Sequence, residues 1–223
     1  MGAREEGHRG YVPGTGHGGM LLFYDPVSRL LGFGSYQRAL VEQARVRPGG
    51  SVLEIGCGTG NLTLLAKRMH PAANVVGLDP DPAALARARR KAARKGLSVG
   101  LDLGFAQELP YPDAWFDRVL SAFMFHHLGP DEKRGSLREA RRVLKPGGSL
   151  HMLDFGEGQA SPGGFFLHRP RRRGRTDHRS ESVTALMRGA GFDEPAEVAH
   201  QAAGVMGSMT YYRADAPIAG EAS

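Results

Sequence analysis

The segment VLEIGCGTGNL, from Val52 to Leu62, places glycines at three alternate positions directly after a run that is typical of a buried β-strand. These glycines are Gly56, Gly58 and Gly60. Glycine accepts positive φ angles and lets a ligand approach the main chain closely, and the first N–H groups of a following helix point at such a ligand. The segment therefore predicts a strand, a ligand-binding glycine loop and a helix, in that order.

Predicted strands and helices alternate along the rest of the chain. The predicted strands are SVLEIG, NVVGLD, LSVGLDLG, FDRVLSAF and SLHMLDFG, followed by the weaker AEVAHQA and SMTYYRA. The predicted helices are NLTLLAKRMH, DPAALARARRKAARKG, DEKRGSLREARRVL and SESVTALMRGAGF. This alternation favours an α/β fold with a seven-stranded, mostly parallel Rossmann-like sheet, helices on both faces and right-handed crossovers.

Length and composition favour a single domain. With 223 residues and 41% hydrophobic content, the chain can bury one sizeable core and is short for two. We expect a flexible glycine-rich arm over 1–19, one domain over 20–215 and a tail over 216–223, with N-terminal helices over 20–46 and a Gly-, Pro- and Arg-rich insert over 156–180. The N-terminal helices are expected to break at Asp25-Pro26, Gly32 and Gly34, because these residues favour turns.

The formal net charge of +6 comes from two local basic segments. RARRKAARK, at 87–95, is expected to be the solvated face of a helix rather than a phosphate-binding patch, and HRPRRRGRTDHR, at 168–179, lies in the insert. The rest of the chain carries more acidic than basic residues, so we expect no nucleic-acid partner. A single cysteine excludes a disulfide framework, and no signal-peptide or membrane-spanning pattern is recognisable, so a cytoplasmic protein is expected.

Two acidic residues end the first two predicted strands. In an open α/β sheet the ligand lies beyond the carboxyl ends of the strands, so Glu54 and Asp79 should face the same crevice as the glycine loop. A glycine loop with these two acids suits a ligand that carries a ribose and a positively charged amino group. The dinucleotide pattern G-x-G-x-x-G fits poorly, because its fifth position is Gly60 and its sixth is Asn61.

EIGCGTG, together with the LD that ends the second strand, resembles motif I and its partner in the class I S-adenosylmethionine-dependent methyltransferases. The resemblance continues through LPYPDAWFDRVLSAFMFHHL and EARRVLKPGGSLHMLDFG and covers about Met20 to Arg213. YDPVSRLLGFG resembles the N-terminal helices of small-molecule methyltransferases of the ubiquinone/menaquinone type. The resemblance implies an enzyme that uses S-adenosyl-L-methionine to methylate an oxygen, nitrogen or carbon atom of a small-molecule acceptor.

The resemblance also implies which residues meet each part of the cofactor. The glycine loop would lie along the methionine part, Glu54 would hold the amino group, and Asp79 would take the ribose hydroxyls. Tyr24 would close over the methionine carboxylate. The implied cofactor contacts are Tyr24, Glu54, Gly56, Cys57, Gly58, Gly60, Asn61, Asp79, Pro80, Ala106, Gln107 and Ser121. No metal is expected, because His8 and His17 have no cysteine or carboxylate cluster beside them.

The segment GFAQELP departs from the family pattern. Similar members read G-D-A there, with the aspartate accepting a hydrogen bond from the adenine amino group, whereas this chain has Phe105. The adenine would then be held by the backbone at Ala106 and Gln107, by the Gln107 side chain, or by stacking on an aromatic ring. The alternative is that Phe105 belongs to the core and the adenine contact is weak.

Methyl transfer from a sulfonium does not require a catalytic side chain, because in-line positioning of the reacting atoms can suffice. If the acceptor arrives protonated, the candidate catalytic bases are His126 and His127, with Asp154 after the fifth strand. The alternative is that one histidine packs in the crevice while the other faces solvent. Cys57 is expected to be a packing residue rather than a nucleophile.

Two other functions remain open. A non-catalytic module would use the same pocket to sense the cofactor. A nucleic-acid methyltransferase is disfavoured, because SAFMFHHL stands where an Asn/Asp-Pro-Pro-aromatic motif would hold a flipped base. The insert over 156–180 is expected at the mouth of the crevice, where GGFFL and its arginines suit an amphiphilic or anionic acceptor; the alternative is a solvated loop.

Overall fold

The computed structural model describes residues 33–155, 181–202 and 208–218. The helices are α1 (Phe33–Ala44), α2 (Asn61–Met69), α3 (Pro82–Arg94), α4 (Pro130–Val143) and α5 (Val183–Gly189). The strands are β1 (Ser51–Ile55), β2 (Asn74–Asp79), β3 (Gly100–Leu103), β4 (Phe116–Ala122), β5 (Leu144–Phe155), β6 (Asp193–Ala202) and β7 (Ser208–Asp215). A 3-10 turn covers Phe125–His127.

The seven strands form one sheet in the order β3-β2-β1-β4-β5-β7-β6. The neighbours from β3 to β5 pair in parallel, and β7 pairs antiparallel with both β5 and β6. The chain turns back from β3 to β4 on the other side of β1, so the β1–β4 junction is the switch point at which α/β proteins form their crevice. The predicted fold class is confirmed.

Parallel pairing brings the ends of several strands to one edge of the sheet. Glu54 pairs with Gly77 of β2 and with Leu120 of β4. The end of β3 lies beside that of β2, because Leu103 pairs with Asp79. The ends of β1 to β5 therefore meet, and we call this side, with the described loops that follow β1 to β4, the carboxyl edge. It contains every described residue of the predicted cofactor site.

Alternate residues of the same strands fill two apolar cores on opposite faces of the sheet. On one face, Leu53 and Val119 belong to a cluster that includes residues of α4 and α5. On the other face, Val52 and Leu120 belong to a cluster that includes residues of α1 and α2. Both faces of the parallel strands are thus covered, which explains their nearly continuous apolar sequences.

Local sequence signals account for α3. The side chain of Asp81 accepts hydrogen bonds from the backbone N–H groups of Ala83 and Ala84, at 2.8 and 3.3 Å, and Pro82 is the first helical residue. Gly96 follows the helix with a φ of 62°. An aspartate cap, a first-turn proline and a terminating glycine are the sequence features that are typical of helix ends.

One local expectation is wrong: Gly34 does not interrupt a helix, because it lies in the first turn of α1. The turn-like sequence KPGG, at 145–148, lies inside β5, since Leu144 already pairs with Phe116 while Ser149 pairs with Arg118. The four residues between the paired positions bulge out of the strand, which is how a turn sequence fits within a strand.

Several predictions fall on residues outside the described ranges. These are the arm over 1–19, Tyr24, the breaks at Asp25-Pro26 and Gly32, and the insert over 156–180. The domain boundaries likewise stay predictions. Within the described ranges, no helix is both long enough and apolar enough to cross a membrane.

Candidate functional site

The glycine loop after β1 folds over the end of β2. The backbone N–H groups of Gly56 and Cys57 both donate to the carbonyl oxygen of Leu78, at 2.8 and 3.0 Å, and Gly60 donates to the carbonyl of Cys57 at 2.8 Å. The φ angles of Gly56, Gly58 and Gly60 are 75°, 52° and 76°. All three lie in the left-handed region that favours glycine, so the sequence pattern follows from the shape of the turn.

The three glycines have different surroundings. A Cβ atom on Gly56 would lie 2.4 Å from Cγ of Met124, and one on Gly60 would lie 2.9 Å from Cβ of Ala88. A Cβ atom on Gly58 would meet nothing within 4 Å. Gly56 and Gly60 are therefore required by packing, whereas Gly58 leaves the main chain open to a ligand.

Asp79 closes the loop from the end of β2. Its Oδ2 accepts a hydrogen bond from the backbone N–H of Gly58 at 2.7 Å, and its Oδ1 accepts one from Asp81 at 2.9 Å. Burial raises the pKa of Asp79, and these two hydrogen bonds oppose the rise. Each carboxylate oxygen can accept more than one hydrogen bond, so the group retains capacity for hydroxyl donors of a ligand.

Glu54 lies in β1 below the loop and is only 3% exposed. The hydroxyl of Thr63 in α2 donates to its Oε2. Burial raises the pKa of Glu54 to about 8, although the Thr63 hydrogen bond opposes this. The free carboxyl is therefore mainly protonated at pH 7, and a cationic ligand group beside it would favour the ionised form.

Gly77 of β2 is absent from the site residues predicted from the sequence, although it determines how the loop packs. A Cβ atom there would lie 2.7 Å from Oγ1 of Thr63 and 2.9 Å from Sγ of Cys57. Its signal was a glycine inside a predicted strand, which often marks a close approach. Burial, with the nearby Glu54, raises the pKa of the Cys57 thiol, so Cys57 is a packing residue at neutral pH.

Lys91 of α3 is a second residue that sequence reasoning missed. Its amino group donates to Oγ1 of Thr59 at 3.0 Å and to Oδ1 of Asn61 at 2.6 Å. The side-chain oxygen of Asn61, an implied cofactor contact, thus faces α3. These contacts join α3 to the far end of the glycine loop.

The basic run of α3 is not a uniformly solvated face. Arg90 and Arg94 are exposed as expected, but Lys91 is buried, so the prediction is wrong for this residue. Lys91 follows the buried Ala84 by seven positions and Ala88 by three. This helical spacing places it on the buried face and was the signal that could have found it.

The expected adenine side lies after β3. Gly104 donates to the backbone carbonyl of Asp79 at 3.3 Å, which holds this segment next to β2. Phe105 is 44% exposed and so does not belong to the core, contrary to one of the two interpretations of the sequence. Ala106 is buried and Gln107 is exposed. The segment therefore offers an aromatic ring and an amide to a ligand.

His126 and Asp154 form a close pair at the ends of β4 and β5. Nδ1 of His126 lies 2.6 Å from Oδ1 of Asp154, and the backbone N–H of His126 donates to Oδ2 at 3.0 Å. The backbone N–H of Phe155 also donates to Oδ1, at 2.8 Å. The exposed His127 ring lies 3.9 Å from the His126 ring between centroids. Partial desolvation, with the His126 ring, lowers the pKa of His127 to about 4.

Three phenylalanine rings form what we call the aromatic cluster, which meets His126 through its last member: Phe33, Phe123 and Phe155. The Phe33 and Phe123 rings stack at 4.7 Å, and the Phe123 and Phe155 rings lie 5.5 Å apart. His126 meets Phe155 edge-on at 5.1 Å. Phe123 has a φ of 57°, which a non-glycine residue rarely adopts and which stores backbone strain next to the His126–Asp154 pair.

The remaining predicted contacts also lie at the carboxyl edge. Pro80 is half-buried directly after Asp79. Ser121 of β4 is buried, and its hydroxyl has no hydrogen-bond partner within the described residues. The same part of the chain holds no group of three or more His, Cys, Asp or Glu residues that could bind a metal ion.

Residues 52–148 match the family described as a methyltransferase domain. The chain is 43% identical over 135 residues to the demethylmenaquinone methyltransferase of Thermus thermophilus, a match that covers 59% of this chain and 60% of the relative. It is 38% identical over 136 residues to the ubiquinone/menaquinone biosynthesis C-methyltransferase of Burkholderia mallei, covering 59% of this chain and 55% of the relative. The chain thus matches little more than half of the length of these curated relatives.

Solved structures share the fold. A protein from Pyrococcus horikoshii gives a TM-score of 0.64 at 20% identity over 86% of this chain and 92% of its own. A SAM-dependent methyltransferase from Aquifex aeolicus gives 0.61 at 22% identity over 80% and 88%. The cyclase SpnF gives 0.63 at 22% identity over 83% and 81%. Proteins described as a methyltransferase and as a cyclase share this architecture, so the fold alone does not decide the reaction.

Proposed function

We propose that the chain carries a class I S-adenosylmethionine-dependent methyltransferase domain and that it transfers a methyl group from S-adenosylmethionine to a small-molecule acceptor. The observation that carries the proposal is one arrangement at the carboxyl edge. There the main chain at Gly58 is open to a ligand and donates to the buried Asp79, and the buried Glu54 lies in the strand that leads into the same loop.

The described residues fit the cofactor. A buried carboxyl at Glu54 suits the amino group of the methionine part, because a cation there would compensate for the burial of the carboxylate. The oxygens of Asp79 suit the two ribose hydroxyls. The exposed ring of Phe105 supplies a stacking surface for the adenine in place of an acid. Tyr24 remains part of the proposed site by resemblance.

When bound, S-adenosylmethionine supplies a methyl group that its sulfonium already activates for in-line displacement. The chain orients the acceptor and excludes water. We assign the proton acceptor to His126, because its contact with Asp154 fixes the ring and leaves Nε2 as the second ring nitrogen. His127, exposed and with a lowered pKa, is assigned a lesser role.

The acceptor is proposed to be a quinone precursor or a similar flat ring that carries an apolar chain. The aromatic cluster beside His126 suits a ring, since such rings stack or pack edge-on against phenylalanine. The names of the curated relatives support carbon methylation of this class of acceptor. The insert over 156–180, with its FF pair and its arginines, is proposed to cover the apolar chain or an anionic group of the acceptor.

Calorimetric titration with S-adenosylhomocysteine tests the cofactor assignment. We expect binding in the micromolar range, and no heat at millimolar ligand would overturn the proposed function. A methyl-transfer assay with reduced demethylmenaquinone carrying a short side chain tests the acceptor. Cofactor binding without transfer to this acceptor or to related quinols would favour a sensing module. Micromolar binding of RNA that weakens steeply with salt would favour a nucleic-acid methyltransferase.

His126→Gln tests the proton acceptor, with His127→Gln as the matched control. We expect the first substitution to lower kcat by about 100-fold and to leave the affinity for S-adenosylhomocysteine unchanged. The second should stay within a few-fold of the parent protein. Equal effects of the two substitutions on kcat would remove His126 from this role.

A further inference from the structure

Lys91 is a cation held in the interior next to the proposed cofactor site. It is 8% exposed, although it belongs to a run of six basic residues whose other members include the exposed Arg90 and Arg94. Lysine is rarely buried to this degree unless its amino group is paired. Two of its hydrogen-bond partners, Thr59 and Asn61, belong to the stretch that joins the glycine loop to α2.

The small residues of α3 bring this helix directly against the loop. Ala88 lies so near Gly60 that a Cβ atom on the glycine would be 2.9 Å from the alanine Cβ. Ala84 and Ala88 are buried on the same face as Lys91. The loop therefore rests on α3 through an apolar contact at Gly60 and two polar contacts at Lys91.

Lys91 also affects the acid that would receive the cofactor's amino group. Its charge lowers the pKa of Glu54, whereas burial and the neighbouring Asp79 raise it. The other groups that face Glu54 are the hydroxyl of Thr63 and the thiol of Cys57. Lys91 is thus the cation among these groups, and it favours the ionised form of Glu54.

We propose that Lys91 is a positioning residue of the cofactor site, with two effects. It holds Thr59 and Asn61 so that the loop keeps its main chain open at Gly58, and it helps Glu54 to carry the charge that a ligand ammonium needs. The side-chain oxygen of Asn61 then serves as an anchor to α3 rather than as a cofactor contact. This inference rests on the proposed function, because it concerns the same site.

Lys91→Met tests both effects by titration with S-adenosylhomocysteine over a range of pH. We expect its dissociation constant to rise about tenfold at pH 7. We also expect the pH at which affinity changes by half to move upward, since Glu54 loses a neighbouring cation. A residue that only stabilised the fold would not move that midpoint. Arg90→Met removes the same charge from an exposed position of the same helix and should change neither quantity.

Two further variants separate the anchor from the charge. Lys91→Arg keeps the charge, so its pH midpoint should stay at the parent value even if the affinity falls. Asn61→Ala removes one anchor and keeps the lysine, so it should raise the dissociation constant several-fold without moving the midpoint. These two variants decide the question if Lys91→Met does not fold in a thermal unfolding assay.

The outcomes distinguish this inference from the proposed function. If the parent protein does not bind S-adenosylhomocysteine, the proposed function fails and this inference fails with it. If the parent binds while Asn61→Ala and the folded lysine variants keep its dissociation constant and its pH midpoint, Lys91 is not a positioning residue and the proposed function stands.

Discussion

The acidic residues at the two edges of the sheet differ in the hydrogen-bond donors that they accept from. We define the amino edge by Ser51, Asp117 and Lys145. There Oδ2 of Asp117 accepts hydrogen bonds from the N–H and the hydroxyl of Ser51, each at 2.8 Å. It also accepts one from the amino group of Lys145 at 2.9 Å. At the carboxyl edge, Glu54 accepts from a hydroxyl and Asp79 accepts from two backbone N–H groups. These three hydrogen bonds all come from neutral donors.

This difference in donors is accompanied by opposite shifts in the pKa values of the acids. Burial pushes the pKa of Asp117 upward, but the hydrogen bonds from Ser51 and Lys145 outweigh it and lower the pKa below its ordinary value. Burial raises the pKa of Glu54 to about 8 and also raises that of Asp79. The amino edge thus satisfies its own anion, whereas the carboxyl edge favours a ligand that brings positive charge and hydroxyl groups.

The largest expected difference between the edges concerns glycine. Gly56 at the carboxyl edge and Gly147 at the amino edge have φ angles of 75° and 71°. A Cβ atom on Gly56 would overlap Met124 at 2.4 Å, whereas one on Gly147 would meet Ile218 at an ordinary 3.8 Å. We expect Gly56→Ala to lower the free energy of unfolding by about 3 kcal/mol, and Gly147→Ala by about 1 kcal/mol.

Chemical denaturation of both glycine variants measures this difference. The left-handed backbone strain is common to the two positions, so it cancels in the comparison. Equal losses of stability would mean that the turn at Gly56 relaxes and that packing does not require this glycine.

The second prediction compares one acid from each edge. Asp79→Ala should weaken binding of S-adenosylhomocysteine by about 1.5 to 3 kcal/mol, because a charged hydrogen-bond acceptor for ligand and loop is lost. Asp117→Ala should leave this affinity unchanged and lower the melting temperature, because Ser51 and Lys145 lose their shared partner. Calorimetry and thermal unfolding of both variants give the two readouts. An unchanged affinity in Asp79→Ala would remove Asp79 from the site.

The third prediction concerns the stability of the fold at acidic pH. His151 is buried within β5, and its Nε2 lies 2.9 Å from Oγ of Ser149. Desolvation, with the charges of Arg118 and Arg213, lowers its pKa from 6.5 to about 3. The unfolded chain therefore takes up a proton as the pH falls below 6.5, while the folded chain does not until about pH 3. We expect a loss of about 2 kcal/mol of stability between about pH 7 and pH 5.

His151→Gln should flatten this part of the stability profile, as measured by denaturation at several pH values. Its affinity for S-adenosylhomocysteine should keep the pH dependence of the parent protein, which we assign to Glu54, two strands away in β1. A profile as steep as that of the parent would show that another group causes the acid sensitivity.

Features that depend on a few neighbouring residues were predictable. Gly58 has the positive φ angle that the alternating glycines indicated. The cap at Asp81 and the terminating glycine at Gly96 act within a turn of α3, so no distant contact was needed to find them. β3 is shorter than predicted because only Gly100–Leu103 pair with β2, and pairing depends on a neighbouring strand.

The sequence by itself determined the strands, the helices, the glycine turn and the acids at the ends of β1 and β2. These follow from backbone preference, from hydrophobic period and from the rule that parallel strands end at one edge. Only the tertiary structure decided that Lys91 reaches Asn61, 30 residues away, and that His126 meets Asp154, 28 residues away. Such pairs depend on how crossover helices and loops pack against the sheet, and no local preference of either residue contains that information.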